Sequence, residues 1–354
     1  MKYILYGATA NTIRKFTPYL YELNIQNDVL FGTDSDPRKW NTVVSGYSVK
    51  EPAEIKNYPE ATIIIIANSI DPIVNLLRSQ GINNKVVTFT WFRFPYIVGV
   101  QTPEWLLKNK EYIKAHAAEI KSLYNCTDEY TDKILDEIIA QRSQLKTALI
   151  EDIQKMAPFH SVHDYFYDKE LAPKGDVTLI DGGAYDGDSI QGVYRIFGDR
   201  LKRVHAFEPA STNAKAMAEN LKKLGIDKIT SIHEIGMFEF DGSLFISGNA
   251  NNGMGFHLTT VKTENTVEVR QISSMKLEII GDALLKMDIE GCELAALKGA
   301  KAFIEQHRPY MAICLYHKME DILEIPAYIK SICPEYDFYL RAGGHLECYA
   351  VPRK

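Results

Sequence analysis

The chain has 354 residues, 46% of them hydrophobic, and sets 40 basic against 46 acidic side chains for a formal net charge of −6. That length suggests two domains, or one large domain with an appendage, either able to bury a core without a disulfide or metal staple. The charge balance excludes a protein built as a whole to hold nucleic-acid backbone, and the longest apolar run, around Ile63–Ala67, is far too short to span a bilayer.

In chain order, the opening MKYILYG shows a single lysine and a strand-sized apolar run with no cleavage-type segment, so no secretory signal is expected. Strands are predicted over Lys2–Tyr6, Val29–Thr33, Ala61–Ala67 and Lys85–Phe89. The third of these, ATIIIIA, is apolar on both faces, as a central parallel strand requires. Ile13, Phe16, Leu20 and Leu23 fall on one helical face, and Asp71–Gln80 reads as a second helix stopped by Gly81. Alternating strands and helices give residues 1–92 a small parallel sheet of the Rossmann kind. Beyond it, Pro103–Tyr124 and Thr131–Met156 carry helical spacing, with Asp128 or Thr131 as the cap of the second. Residues 93–160 therefore read as a helical connector, followed by an aromatic-rich stretch, Pro158–Leu171, expected to dock on the next domain.

Residues 161–354 form the third region. Val177–Asp181, Val204–Glu208, Ile229–Ile235, Ala283–Asp288 and Pro309–Tyr316 are predicted as buried strands, with helices after all but the third. Gly242–Ile272 has the texture of a β-rich insertion, and Asp337–Leu340 with Glu347–Val351 that of a closing hairpin. Cys126, Cys292, Cys314, Cys333 and Cys348 are scattered without a C-x-x-C pair, which points to reduced thiols in a cytoplasmic protein.

The most informative stretch is LIDGGAYDGDS, Leu179–Ser189. An apolar strand runs into Asp181, then Gly182, Gly183 and Gly187, and a helix starts near Ser189. Glycines there let the backbone turn tightly and approach a ligand, and the helix start offers free N–H groups. A plain strand-to-helix turn with no ligand is the alternative. The second strand ends in Glu208 before Pro209, where α/β folds hydrogen-bond ribose hydroxyls. The turn lacks the G-x-G-x-x-G of a dinucleotide site. Its carboxylates Asp181, Asp186 and Asp188 would repel a pyrophosphate, yet suit the cationic amino and sulfonium groups of S-adenosylmethionine. Asp288 and Glu290 stand at the end of the fourth strand, in the crevice where such sheets bind ligands, or else cap the helix near Cys292. His317, ending the fifth strand, is placed either as a general base or as a structural histidine.

Together IDGGAYDGDS, HAFEPAS, KMDIEG with downstream LKGA, and LYHKMEDILEIPAYI resemble the FkbM family of S-adenosylmethionine-dependent methyltransferases, from about Tyr165 to the end. The resemblance implies a class I, Rossmann-like, seven-stranded α/β methyltransferase domain, preceded by the smaller Rossmann-like α/β domain and the helical connector. It implies that Asp181, Gly183, Tyr185, Gly187, Asp188 and Ser189 cradle the amino-acid part of the cofactor. Glu208 with Pro209 would take the ribose, Glu234, Ile235 and Gly236 the adenine, and Asp288 the methyl end. Many members carry Asn where this chain has Tyr185. Family members mostly methylate hydroxyls of sugars, glycolipids or natural products, so the expected substrate is a small molecule or glycan, with Asp288, Glu290 or His317 accepting the proton. Asn249 and Asn252, in the amide-rich NANNGMGFH, and His317 with Lys318 are the expected substrate contacts, with a plain flexible loop as the equal alternative for NANNGMGFH.

No metal is expected. Asp288 and Glu290 offer oxygen ligands, but His317 stands where a second acid would serve Mg²⁺, and imidazole is a poor partner for that ion. The first domain has Gly7 and Asn11 in its opening turn and Asp34 after its second strand, too few glycines for a pyrophosphate fingerprint. Glycan or sugar-nucleotide recognition and a scaffold for a homo-oligomer are equal readings of it. The rival for the whole chain is an NAD- or nucleotide-sugar-binding sensor without methyl transfer.

Overall fold

Two α/β units make up the chain, Met1–Ala117 with Leu135–Pro158, and Ala118–Ile134 with Phe159–Lys354. The computed structural model describes residues 1–7, 13, 16, 17, 20, 21, 24–67, 70–89, 103–124, 128–144, 147–149, 165–247, 257–259, 266–342 and 346–353.

The strands of the first unit are β1 (Tyr3–Tyr6), β2 (Val29–Thr33), β3 (Thr42–Val44), β4 (Tyr47–Lys50), β5 (Thr62–Ile65), β6 (Val86–Phe89) and β7 (Thr147–Leu149). They form one sheet in the order β3-β4-β2-β1-β5-β6-β7. Its middle is parallel, and β5 shows why the isoleucine run reads as a strand buried on both faces. Ile63 and Ile65 pack with Tyr6, Phe31 and Leu77, whereas Ile64 and Ile66 pack with Leu5, Ile13, Phe16 and Leu20.

Two departures from expectation lie at the edges of this sheet. The β3–β4 hairpin turns through Ser45 (φ 48°) and Gly46 (φ 85°), two successive left-handed residues of the kind that match strand twist. The helix expected to run on to Met156 stops at Gln144, and Thr147–Leu149 pairs antiparallel with β6 instead. The unpaired edge of β6 supplies the hydrogen bonds that favour a strand there, a tertiary effect that helical spacing does not register.

The helices begin with α1 (Ile70–Ser79), α2 (Pro103–Leu123) and α3 (Glu129–Gln144), and the boundary between units falls within α2 and within α3. Of the two candidate caps, Asp128 serves, accepting the backbone N–H of Thr131 at 2.9 Å.

The second unit runs β8 (Val177–Gly182), α4 (Asp188–Phe197), β9 (Leu201–Phe207), α5 (Ser211–Leu224), β10 (Thr230–His233), β11 (Gly236–Met237), β12 (Gly242–Ser247), β13 (His257–Thr259) and β14 (Thr266–Arg270). It continues with β15 (Asp282–Met287), α6 (Glu293–Gly299), α7 (Lys301–His307), β16 (Tyr310–Cys314), α8 (Asp321–Ile332), β17 (Tyr336–Ala342) and β18 (Leu346–Pro352). The main sheet has the order β10-β9-β8-β15-β16-β18-β17, with β18 inserted antiparallel between β16 and β17. The closing hairpin is therefore present, and the expected insertion is a separate sheet, β11-β14-β12-β13, over Leu244, Val267 and Val269. The aromatic stretch docks as expected where it is described, with Tyr165 and Phe166 buried in the core of this unit. Arg341 holds it from β17, its guanidinium donating to Asp168 and to Asp128, each at 2.6 Å. Cys292, Cys314, Cys333 and Cys348 are free and buried.

At the β9–β10 edge, His233 stacks on Phe207 with ring centroids 4.6 Å apart, and its Nε2 lies 3.3 Å from Nδ1 of His205. The other ring nitrogen of His205 lies 3.0 Å from the carbonyl of Glu278. Burial, then His205 and Arg203, lower His233 to about 4, and burial also lowers His205. A histidine depressed on folding leaves the unfolded chain with more bound protons below the ordinary histidine range. Stability is therefore expected to fall as pH drops from about 6.5 towards 4. Thermal unfolding of His233→Gln compared with the parent at pH 7.5 and 5 should show a smaller loss in the variant, and parallel losses would contradict this reading.

Candidate active site

From β8 the chain steps outward through β9 to β10, while β15 leads the other way to β16, so β8 and β15 flank a switch in topology. Open α/β sheets bind ligands in the crevice beyond the carboxyl ends of such strands. Here that crevice is lined by the glycine turn after β8 and by the Asp288–Gly291 segment after β15.

The turn needs its glycines. Gly183 has φ 71°, and a Cβ placed on it would lie 1.9 Å from the carbonyl oxygen of Asp288. Gly187, at φ 89°, is followed directly by α4. Tyr185 is itself left-handed, at φ 46°, and donates its backbone N–H to Glu208 at 3.0 Å. The same carboxylate accepts from the N–H of Ala210 at 2.9 Å and from Asn213 at 3.2 Å. Burial raises the pKa of Glu208, opposed by these three donors and by Lys286. The end of β9 thus carries a buried, oriented acceptor tied to the glycine turn. Pro209 follows it, half-buried.

Asp181 and Ser189 depart from their expected places in a ligand cradle. Asp181 is 0% exposed, its Oδ1 is 2.9 Å from Nζ of Lys286, and its Oδ2 accepts from the hydroxyl of Ser189. Both side chains face inward because Lys286, 3% exposed, places a charge beneath the turn that only a carboxylate can balance. The ammonium also donates to the carbonyls of Gly182 at 3.1 Å and Gly183 at 2.8 Å. Burial disfavours its charge, but Asp181 and Asp288 more than offset that and raise its pKa. Asp186, within the turn, has a buried Oδ1 with no hydrogen-bond partner among the described residues. Asp188 opens α4 and accepts the N–H of Ser189. Glu234 is exposed and accepts from Ser211, Ile235 is half-buried, and Gly236 already belongs to β11 of the small sheet.

Past β15, Asp288 is held by two phenols. Tyr316 donates to Oδ1 at 2.6 Å and Tyr165 to Oδ2 at 3.1 Å. Burial, then Asp288, raises the pKa of both, so they remain protonated donors. His317 is the departure here. Its side chain is 2% exposed, with Nδ1 at 2.9 Å from Glu293 and Nε2 at 3.6 Å from Asp288 and 3.5 Å from Glu290. Burial opposes its charge, but Glu293 and then Asp288 and Glu290 overturn that and push the imidazole up to about 9. A ring that retains its proton at neutral pH is not a free general base. Behind the site, burial pushes Asp321 and Glu347 up to about 8, assisted by Glu293 and Asp288 respectively, Glu347 being relieved by its hydrogen bond from Tyr349. Lys318 is exposed at the rim. Asn249 and Asn252 lie outside the described residues.

Lys286, Glu293, Tyr165 and Tyr316 were not singled out in the sequence. The one available signal was a lysine inside the apolar strand ALLKM, which demands a buried partner.

Residues 181–340 match the family described as "Methyltransferase FkbM domain". A crystal structure of methyltransferase FkbM from Methylobacillus flagellatus KT is similar at TM-score 0.64 and 20% identity, covering 99% of this chain and 89% of that one. That likeness is one of fold and spans both units. An S-adenosylmethionine-dependent O-methyltransferase from Thermotoga maritima aligns over 58% of this chain and 71% of its own at 13% identity, with a TM-score of 0.33. No curated protein matches the chain in sequence.

The packing of Gly183 against Asp288 makes a direct prediction. Gly225 has a similar φ of 74° but open space around it, so alanine there meets only the left-handed backbone cost of about 1–2 kcal/mol. Gly183→Ala adds overpacking of roughly 1–3 kcal/mol. Denaturant unfolding should therefore find Gly183→Ala clearly the less stable variant, and equal losses would refute the close approach of the two strand ends.

Proposed function

We propose that the second unit of this chain is an FkbM methyltransferase domain whose methyl donor is S-adenosylmethionine and whose acceptor is a hydroxyl group of a carbohydrate, glycan precursor or related small molecule. We further assign the main sheet, with its antiparallel β18, to the class I methyltransferase arrangement. The observation that carries the reading is the packing of the carboxylate-bearing Asp288 segment directly against the glycine turn, which brings a donor cradle and a proton-accepting group to one crevice.

The residues fit the donor. The unpartnered buried oxygen of Asp186 suits a cationic ammonium or sulfonium group. Glu208, fixed by three donors, retains acceptor capacity for ribose hydroxyls. When bound, S-adenosylmethionine supplies an electrophilic methyl group on a sulfonium sulfur. The protein's share is positioning and proton removal. Asp288, its rotamer fixed by Tyr165 and Tyr316, and Glu290 beside it orient the acceptor hydroxyl and draw its proton as the oxygen attacks. Asp181, Ser189 and Lys286 act from beneath by holding the turn.

Calorimetry and labelled-methyl transfer test this. S-adenosylmethionine should bind the parent chain, and Glu208→Ala should weaken it about 10- to 100-fold through loss of charged hydrogen bonds. Asp288→Asn should keep donor binding within a few-fold while slowing transfer to sugar hydroxyls by about 10²–10⁴. No binding at millimolar donor, or transfer to amines only, would overturn the proposal.

A further inference from the structure

His317 is enclosed more completely than a proton acceptor requires. Its side chain is 2% exposed, and Glu293, 0% exposed, meets its Nδ1 at 2.9 Å. The same Glu293 oxygen accepts the N–H of Ile289 at 2.9 Å and of Gly291 at 3.4 Å, so the ring is oriented by a carboxylate that is itself fixed. The opposite nitrogen, Nε2, is buried and makes no hydrogen bond among the described residues. It faces Asp288 Oδ1 at 3.6 Å and Glu290 Oε2 at 3.5 Å, both too long for an N–H···O bond and nearly equal. Atoms bound about 2.1 Å from one ion at tetrahedral angles stand about 3.4 Å apart. One ligating atom from each of Asp288, Glu293 and His317 also lies within 4.8 Å of the others.

We propose that Asp288, Glu290 and His317 Nε2 bind a divalent transition-metal ion that displaces the Nε2 proton into solvent, with Glu293 orienting the imidazole from behind. The donor set names the class. One imidazole with two carboxylates suits Mn²⁺, Fe²⁺ or Zn²⁺, whereas Mg²⁺ prefers oxygen alone. A carboxylate behind a ligating histidine is the usual way its ring and tautomer are fixed. Tyr165 and Tyr316 do the same for Asp288. Glu290 reaches the cluster from a left-handed backbone, φ 55°, a conformation that a non-glycine residue holds at some cost. Three protein ligands leave coordination positions open. If the methyl-transfer reading holds, an acceptor oxygen occupying one of them would be acidified there, and the carboxylates would serve the ion rather than take the proton.

The test uses the full chain freed of metal with EDTA and titrated with Mn²⁺, Zn²⁺ or Mg²⁺ alone, with no methyl donor. One Mn²⁺ or Zn²⁺ per chain is expected, with Mg²⁺ at least tenfold weaker. Pulsed electron paramagnetic resonance of the Mn²⁺ form should show coupling to a single imidazole nitrogen. Glu293→Gln should weaken the ion about 10- to 100-fold while keeping that coupling, and His317→Ala should lose it. No binding below millimolar ion, or bound Mn²⁺ without nitrogen coupling in the parent chain, overturns the site, and that spectrum requires no variant to fold. Calorimetry with S-adenosylmethionine on the same metal-free sample keeps the two readings apart. Donor binding without ion binding sinks only the metal site, and ion binding without donor binding sinks only the donor reading.

Discussion

The buried ion pair between Asp181 and Lys286 sets the geometry of the second unit's crevice. The two residues are cross-strand partners in the β8–β15 ladder, so sheet register alone brings them together. A slip of one residue would bury each charge unpaired, which is far costlier than the pair. The lysine also gathers the carbonyls of Gly182 and Gly183 and lies 5.1 Å from the centre of the Tyr165 ring. One ammonium thereby ties the end of β8, the end of β15 and the aromatic segment ahead of β8 into a single rigid corner.

What the corner holds follows from that. With the turn pinned from below, the buried Oδ1 of Asp186 has no hydrogen-bond partner among the described residues, Glu208 is fixed by three donors, and Asp288 is pressed against Gly183 from the neighbouring strand. The segment that carries Tyr165 to Asp288 is tied to β17 by Arg341 through Asp168, and the same guanidinium holds Asp128. The segments 128–134 and 165–171 are thus part of the site's foundation.

Much of this was legible in the sequence. The five parallel strands and the closing hairpin announce themselves through local pattern and lie in one sheet, and the glycine turn, Glu208 and Asp288 directly follow its strands β8, β9 and β15. The inward turn of Asp181 and Ser189 was not legible, because a carboxylate beside glycines looks the same whether it faces a ligand or a buried lysine. Glu293 gives no signal in the sequence, since its partner His317 is distant along the chain. The edge strands β3 and β7, and β4 beside β3, were missed for a related reason. They are short, and pairing with a neighbour rather than periodicity makes them strands.

The measurement that bears most directly on the central role of the ion pair is a double-mutant cycle on Asp181→Asn and Lys286→Met, read by denaturant unfolding. Each single change strands a buried charge or donor and should cost about 3–5 kcal/mol. The double variant removes both charges and should be more stable than the sum of the singles predicts by at least about 2 kcal/mol. Additive losses would mean that the two residues do not act as a pair, and the crevice would then need another foundation.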